Sequence, residues 1–191
     1  MIIGITGGTG CGKTTLLDVL REHGYTVLDM DAIYHQLLQT DKQLLADIEA
    51  RFPGTVEDGQ LQRKKLGAIV FNDKQEMAAL SKITGSAIRK EVMRRLEEDS
   101  SKVAMDAIGL IEGGYTKLCQ LTIAVTAPEE IRVQRIMARD GITEEYARTR
   151  IQAQKPPSFY SENCDYTLVN DSSREAFRQE CLAFFRRLDI I

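Results

Sequence analysis

A glycine-rich motif near the N-terminus constrains the fold more than any other feature. Residues 7–14 read GGTGCGKT and match the phosphate-loop pattern G-x-x-x-x-G-K-[ST]. The apolar run at 2–6 predicts a buried parallel strand before the motif, and leucines at helical spacing predict a helix over 13–23 after it. Because a phosphate loop requires this strand–loop–helix order, the pattern predicts a bound nucleoside triphosphate and disfavours a glycine-rich turn with an incidental lysine.

The residue types of the motif predict separate roles. The glycines let backbone N–H groups turn toward phosphate oxygens, and the following helix adds the positive end of its dipole. Lys13 is expected to reach the β- and γ-phosphates, and the Thr14 hydroxyl to ligate a bridging Mg²⁺. Amides at the helix N-terminus are expected to lower the pKa of the Cys11 thiol. The candidate nucleotide-binding residues of the loop are Gly8, Thr9, Gly10, Cys11, Gly12, Lys13, Thr14 and Thr15.

Strand and helix patterns alternate along the rest of the chain, which predicts an α/β fold with a parallel sheet covered on both faces. Further strands are predicted over 25–28, 103–105, 121–125 and 166–169. Helices are predicted over 32–52 with a break at Thr40-Asp41, over 61–98 with breaks near Asn72-Asp73 and Thr84-Gly85, and over 144–154. Two more helices are predicted to follow the capping boxes Thr126-x-x-Glu129 and Ser172-x-x-Glu175.

Composition excludes several classes of protein. The net charge is −3, which argues against a nucleic-acid partner, and no apolar run is long enough for a membrane span. The N-terminus lacks the features of a signal peptide. Four dispersed cysteines without C-x-x-C spacing, beside only two histidines, argue against a zinc site and favour reduced thiols in the cytoplasm. The sequence carries no signal for an oligomeric state.

Acidic residues follow two of the predicted strands. Asp29 and Asp31 lie at the end of the second strand, at the edge where α/β sheets bind ligands. One of them could accept a proton from an incoming hydroxyl group, or both could cap the helix that begins near Ala32. Asp106 ends the third strand and could either orient Mg²⁺ through water or act as a cap.

Several segments together resemble the dephospho-coenzyme A kinase family over nearly the whole chain. The aspartate pair with His35 is similar to the family signature D-A-D-x-I-x-H, and residues 58–71 resemble its block D-G-x-L-x-R-x-x-L-x-x-x-V-F. The quoted segments are 3–15 (IGITGGTGCGKTT), 27–31 (VLDMD), 58–63 (DGQLQR), 66–67 (LG), 70–71 (VF), 150–154 (RIQAQ) and 169–170 (VN).

The resemblance implies transfer of the γ-phosphoryl group of ATP to the ribose 3′-hydroxyl of dephospho-coenzyme A, with Mg²⁺. It implies that Asp31 is the catalytic base, that Lys13 contacts the phosphates and that Arg139 reaches the transferring group from a lid. It also implies that Asn170 runs beside the adenine of ATP. The acceptor-binding residues that it implies are Asp31, His35, Arg63 and Glu112.

The resemblance further implies a three-layer P-loop kinase fold with a parallel five-stranded sheet, a helical acceptor-binding subregion and a lid. The expected core covers about 1–31, 100–134 and 158–191. The acceptor-binding subregion covers about 32–98, and the lid about 135–157.

Two departures from the family pattern leave the acceptor open. Thr84-Gly85 stands where the family has His-Pro, and residues 106–112 (DAIGLIE) keep Glu112 but lack the proline of D-x-P-L-L-x-E. A kinase with a different nucleoside or nucleotide acceptor therefore stays an alternative, as does a paralogue that binds nucleotide without turnover. Residues 106–109 also fit the D-x-x-G of GTPase switches, but no N-K-x-D motif follows.

Five arginines surround Gly141, in the expected lid and just before it. They could close over the phosphates and neutralise developing charge, or they could form a solvated face paired with nearby glutamates. Arg139 is the one chosen for the active site. The five arginines are Arg132, Arg135, Arg139, Arg148 and Arg150.

Overall fold

A computed structural model describes all residues from 1 to 191. The strands are β1 (Ile2–Thr6), β2 (Thr26–Asp29), β3 (Val56–Glu57), β4 (Gln60–Leu61), β5 (Val103–Asp106), β6 (Leu121–Thr126) and β7 (Tyr166–Val169). The helices are α1 (Lys13–Glu22), α2 (Met30–Thr40), α3 (Lys42–Arg51), α4 (Arg63–Val70), α5 (Lys74–Glu98), α6 (Glu129–Asp140), α7 (Glu144–Gln152), α8 (Pro157–Glu162) and α9 (Arg174–Arg187). A 3₁₀ turn covers Tyr115–Leu118.

Five strands form one parallel sheet in the order β2-β5-β1-β6-β7, so all five predicted strands are confirmed. β1 lies at the centre, with Ile3 opposite Ala104 on one side and Leu121 on the other. The chain leaves β1 toward one half of the sheet and leaves β6 toward the other. The carboxyl ends of these two strands therefore flank the crevice where open α/β sheets bind ligands.

The sheet is buried by helices whose apolar faces the sequence pattern indicated. On one side, α1 packs beside α9, and both contribute to a cluster that includes the strand residues Ile3, Ile5 and Ile123. The two helices bury the apolar residues of their inner faces, namely Leu16, Leu17, Leu20, Phe177, Leu182 and Phe185. This packing fixes the start of α1, and with it the loop that connects it to β1.

The chain forms two compact units. One combines Met1–Leu28 with Ser100–Ile191 and contains the sheet, α1 and α6–α9. The other is Asp29–Asp99, which contains α2–α5 and the small antiparallel hairpin β3–β4. The second unit has its own apolar interior, in which Ile48 and Val92 are fully buried.

Three predicted helix boundaries are wrong. Thr126 is the last residue of β6 and Pro128 precedes α6 without a side-chain cap. The cap of α9 is Ser173 rather than Ser172, because the Ser173 hydroxyl accepts from the Ala176 amide at 3.2 Å. No break occurs at Thr84-Gly85, since α5 runs on through both residues.

Other boundaries agree with the sequence pattern or add to it. The break at Thr40-Asp41 is confirmed, because the Asp41 carboxylate caps α3 through the Gln43 and Leu44 amides. Asp73 caps α5 in the same way, which confirms the break near Asn72-Asp73. The hairpin β3–β4 and the short helix α8 were not predicted. None of the helices has the length and apolar character that crossing a membrane requires.

Candidate active site

The phosphate loop between β1 and α1 is built on glycines with positive φ. Gly7, Gly10 and Gly12 have φ of 139°, 78° and 88°. A Cβ atom added at Gly7 would lie 2.1 Å from the Val125 carbonyl oxygen, and one added at Gly12 would lie 2.1 Å from Asn170 Nδ2. Only glycine combines a positive φ with the absence of a side chain that would clash. The loop is therefore tightly curved, and its backbone can approach an anion.

Lys13 and Asp106 meet at the mouth of the loop. Lys13 Nζ donates to the Gly7 carbonyl oxygen at 2.9 Å and lies 3.9 Å from Asp106 Oδ1, at the end of β5. Thr14 is exposed in the first turn of α1. Hydroxyl and carboxylate oxygens are the ligands that Mg²⁺ takes beside phosphate oxygens and water, so Thr14 and Asp106 fit such an ion.

Asn170 is buried behind the loop, with 3% of its surface exposed. Its Nδ2 donates to the Cys11 carbonyl oxygen at 2.9 Å, and its Oδ1 accepts from Arg135 at 3.0 Å. Its own amide donates to the Thr126 carbonyl oxygen at 2.7 Å. Asn170 therefore connects the end of β7 to the phosphate loop, and its predicted place beside adenine stays a prediction.

Arg132 and Gln154 hold the backbone of Thr9 from outside the loop. Arg132 Nε donates to the Thr9 carbonyl oxygen at 2.9 Å, and Gln154 Oε1 accepts from the Thr9 amide at 2.9 Å. The two side chains also bond to each other, since Arg132 donates to Gln154 Oε1 at 3.1 Å. Both backbone polar groups of Thr9 are thereby bonded, one to α6 and the other to the segment that follows α7.

Arg139 reaches the loop while it is paired with its neighbour. Its guanidinium donates to Thr9 Oγ1 at 3.4 Å and to both carboxylate oxygens of Asp140, at 2.7 and 2.9 Å. Arg150 donates to the same carboxylate at 2.6 Å, and the two guanidinium groups lower the pKa of Asp140. Arg148 bonds instead to Glu129, Glu130 and Glu144, so the solvated-face interpretation is right for that residue.

The prediction of a low thiol pKa at Cys11 is wrong. The residue is 3% exposed, and burial raises the pKa of its thiol although Arg132 and Lys13 act in the opposite direction. Loss of hydration outweighs the attraction of nearby positive charge, because a thiolate in an apolar surrounding loses its water.

The acids at the end of β2 and the start of α2, Asp29 and Asp31, have different surroundings within the Asp29–Asp99 unit. Asp29 is the cap of α2, where its Oδ1 accepts from the Ala32 amide at 3.0 Å, so the capping interpretation is right for this residue. Asp31 belongs to the first turn of α2 and is exposed. Its carboxylate is available for chemistry, and its role as a base stays a prediction.

His35 and Arg63 line the same cavity, of about 270 Å³, in the Asp29–Asp99 unit. His35 is exposed and packs edge-on against Tyr34, with 5.8 Å between the ring centroids. Burial raises the pKa of Tyr34, and the nearby positive charge of Arg63 opposes that shift. Apolar residues complete the lining, among them Leu38, Leu61, Leu66, Val70 and Phe71.

Glu112 lies in the other unit, in the turns that follow β5, and is exposed. Burial raises the pKa of the Tyr160 phenol, and the negative charge of Glu112 adds to that shift. The structure thus brings Lys13, Arg139 and Asn170 together at the phosphate loop. His35 and Arg63 form a separate group at the cavity of the second unit.

The contacts of Arg132 and Gln154 with Thr9 were not predicted from the sequence. A signal for Arg132 exists, because residues 132, 135 and 139 follow the i, i+3, i+7 spacing of one helix face. That spacing places the three arginines on one face of the helix but does not indicate which of them is buried.

The strand order and the phosphate loop define the P-loop kinase fold. A dephospho-CoA kinase from Campylobacter jejuni has a structure with a TM-score of 0.70 and 27% identity, covering 98% of this chain and 96% of its own. The crystal structure of TT1252 from Thermus thermophilus gives a TM-score of 0.82 at 33% identity, covering 98% and 97%.

Sequence similarity places the chain within this fold. The dephospho-CoA kinase family matches residues 1–176. The dephospho-CoA kinase of Geobacillus kaustophilus is 33% identical over 197 aligned residues, which cover 100% of this chain and 98% of that protein. The chain belongs to the dephospho-CoA kinase family.

Proposed function

We propose that this protein transfers the γ-phosphoryl group of ATP to the ribose 3′-hydroxyl of dephospho-coenzyme A, giving coenzyme A and ADP. The observation that carries the proposal is the phosphate loop with Lys13 at its mouth, in a chain that matches this family from residue 1 to residue 176. This match favours a kinase over the GTPase-like switch that residues 106–109 suggested.

The phosphate loop provides the donor half of the reaction. Its amides and the N-terminus of α1 bind the phosphates of ATP, and Lys13 neutralises charge between the β- and γ-phosphates. Thr14 and Asp106 would hold Mg²⁺, which offsets negative charge on the same oxygens when it is bound. Arg139 moves from Asp140 to the transferring group and stabilises the charge that develops there.

Asp31 provides the acceptor half. Its carboxylate accepts the proton of the 3′-hydroxyl while the new oxygen–phosphorus bond forms and the bond to the leaving ADP breaks. The exposed position of Asp31 and the lack of a capping bond to its side chain are consistent with this role. Asp29 is already used as a cap and is the poorer candidate.

The cavity lined by His35 and Arg63 is our candidate for binding the acceptor. It combines one guanidinium group with apolar walls, which suits a ligand that carries both phosphate and uncharged parts. Glu112 is the further acceptor-binding candidate. The cytoplasmic location and the lack of a nucleic-acid partner remain predictions of the sequence.

The test is formation of ADP from Mg·ATP with dephospho-coenzyme A, run beside nucleosides and nucleotides as alternative acceptors. We expect turnover that depends on dephospho-coenzyme A, and mass spectrometry should show a product that is one phosphate heavier. Turnover with a different acceptor alone would mean that the protein is a kinase but that dephospho-coenzyme A is not its acceptor. If no acceptor supports ADP formation, the alternative of a protein that binds nucleotide without turnover is favoured.

A further inference from the structure

Arg132 is a buried cation behind the phosphate loop. Only 4% of its surface is exposed, whereas the other arginines of α6 and α7 are half-buried or exposed. Arginine is almost never buried to this extent without a charged partner, because a guanidinium group loses favourable hydration when it leaves water.

The hydrogen-bond partners of Arg132 are neutral. They are the Thr9 carbonyl oxygen at 2.9 Å and Gln154 Oε1 at 3.1 Å. Arg139 and Arg150 on the same helix pair bond to the Asp140 carboxylate, whereas Arg135, which is only half-buried, also has neutral partners. Arg132 takes part in no such ion pair, so its buried charge has no fixed counter-charge in the protein.

The charge is held directly against the loop. A Cβ atom added at Gly8 would lie 2.4 Å from a guanidinium nitrogen of Arg132, and one added at Gly10 would lie 2.9 Å from its carbonyl oxygen. Gln154 bonds to the Thr9 amide and to Arg132 at once, which prevents the guanidinium from swinging away. Its influence reaches into the loop, where Arg132 opposes the burial-driven rise in the pKa of Cys11.

We propose that Arg132 supplies a buried positive charge to the phosphate loop and that the bound polyphosphate is its missing counter-charge. A charge shielded from water acts over a longer distance than a surface charge, so Arg132 can favour the anion through the loop without touching it. It is a positioning residue with an electrostatic role, and the inference rests on the proposed binding of ATP at this loop.

The decisive variant is Arg132→Gln, which removes the charge but keeps amide donors for Thr9. We expect the Kd for ATP, ADP and inorganic tripolyphosphate to rise about tenfold, while the melting temperature of the unliganded protein stays the same or rises. Arg132→Lys keeps the charge and should recover most of the affinity. Arg186→Gln, on the exposed last turn of α9, makes the same change in net charge and should leave binding unaltered.

Gln154→Glu gives a second signature that a purely structural role would not produce. The new carboxylate can still accept from Thr9 and Arg132, and it provides the counter-charge from within the protein. We expect a higher melting temperature together with weaker tripolyphosphate binding, whereas damage to the loop would lower both.

The outcomes separate the inference from the function on which it rests. Unchanged tripolyphosphate affinity in Arg132→Gln, with a wild-type protein that binds the anion, would overturn the inference alone. Equal losses of affinity in Arg132→Gln and Arg132→Lys would also overturn the inference, because the affinity would then not depend on the positive charge. A wild-type protein that binds neither ATP nor tripolyphosphate would overturn the proposed function itself.

Discussion

The phosphate loop and the Asp29–Asp99 unit present their candidate residues in opposite ways. The loop is held by buried polar groups, among them Asn170 and Arg132, which bond to its backbone. In the second unit, the exposed side chains Asp31, His35 and Arg63 project from helices. The loop would bind its ligand through a preformed backbone, whereas the second unit would bind through side chains that can be exchanged without disturbing a core.

This contrast predicts that substitutions of the exposed candidate residues in the second unit change chemistry without changing stability. Asp31→Asn removes the proposed base and should lower kcat by a factor of about 10²–10⁴, because general base catalysis contributes that much. The Kd for ATP should stay within about twofold of the wild-type value, since the phosphate loop is unaltered. Steady-state kinetics and nucleotide titration measure the two effects. Asp47→Asn, at another exposed acid of the same unit, is the matched control; a kcat near wild type in Asp31→Asn would assign the base elsewhere.

In the phosphate loop, by contrast, single substitutions are expected to lower stability as well as nucleotide binding. The backbone conformation of the loop depends there on close packing against buried side chains. Gly12→Ala introduces strain at φ 88° and a clash with Asn170 Nδ2, so the free energy of unfolding should fall by at least about 2 kcal/mol. ATP binding should weaken as well. Gly141→Ala carries strain at φ 65° in open space and should cost only about 1 kcal/mol. Urea unfolding measures the free energy of unfolding of both variants, and the difference between their losses gives the cost of the clash. Equal losses would contradict the close packing of Asn170 on the loop.

The smallest expected effect concerns how the second unit stabilises its long helix. Only Val92 and Leu96 of α5 are buried, and hydrogen bonds from Arg94 and Arg95 hold the pKa of Glu91 at about 2. A lowered pKa adds stability above the unfolded-state pKa of about 4.3, and that stability is lost as the pH falls toward 2. After allowance for solvent screening, Glu91→Gln should lower the free energy of unfolding by about 1 kcal/mol at pH 7.

Denaturant unfolding of Glu91→Gln between pH 7 and pH 3 checks the sign of this effect. The difference from wild type should shrink below pH 5, because Glu91 becomes protonated first in the unfolded chain. Glu97→Gln, at an exposed acid of the same helix, should show no such trend. A difference that stays constant with pH would mean that Glu91 acts through packing rather than charge.

The sequence predicted those parts of the fold that depend on neighbours along the chain. The phosphate loop, the five strands and the break at Asp41 each rest on a local pattern, such as glycine spacing, an apolar run or a capping carboxylate. The predicted break at Thr84-Gly85 failed for a tertiary reason. A glycine inside a helix costs about 1 kcal/mol, and the packing of α5 against α2, α3 and α4 outweighs that cost.

In the candidate site, too, the residues that belong to a local motif could be predicted and those that depend on tertiary packing could not. The spacing of the motif identified Lys13 and Thr14, and the resemblance supplied Asp31, His35 and Arg63 as expectations. The difference between Arg132 and Arg148 could not be predicted, because both are arginines on amphipathic helices beside acidic residues. One is buried against Thr9 and the other bonds to three surface glutamates, and only the packed chain decides which.

The central place of β1 has a consequence for how the chain is made. β1 is synthesised before the other strands of the sheet, yet its two neighbours begin only at Val103 and Leu121. At about 5–20 residues per second, synthesis leaves this apolar strand without its partners for several seconds. The Asp29–Asp99 unit, which is continuous in sequence, is complete before either partner appears. We therefore expect nascent chains to shield Ile2–Thr6 by early collapse or by a chaperone, and short translation products that end before β6 to aggregate.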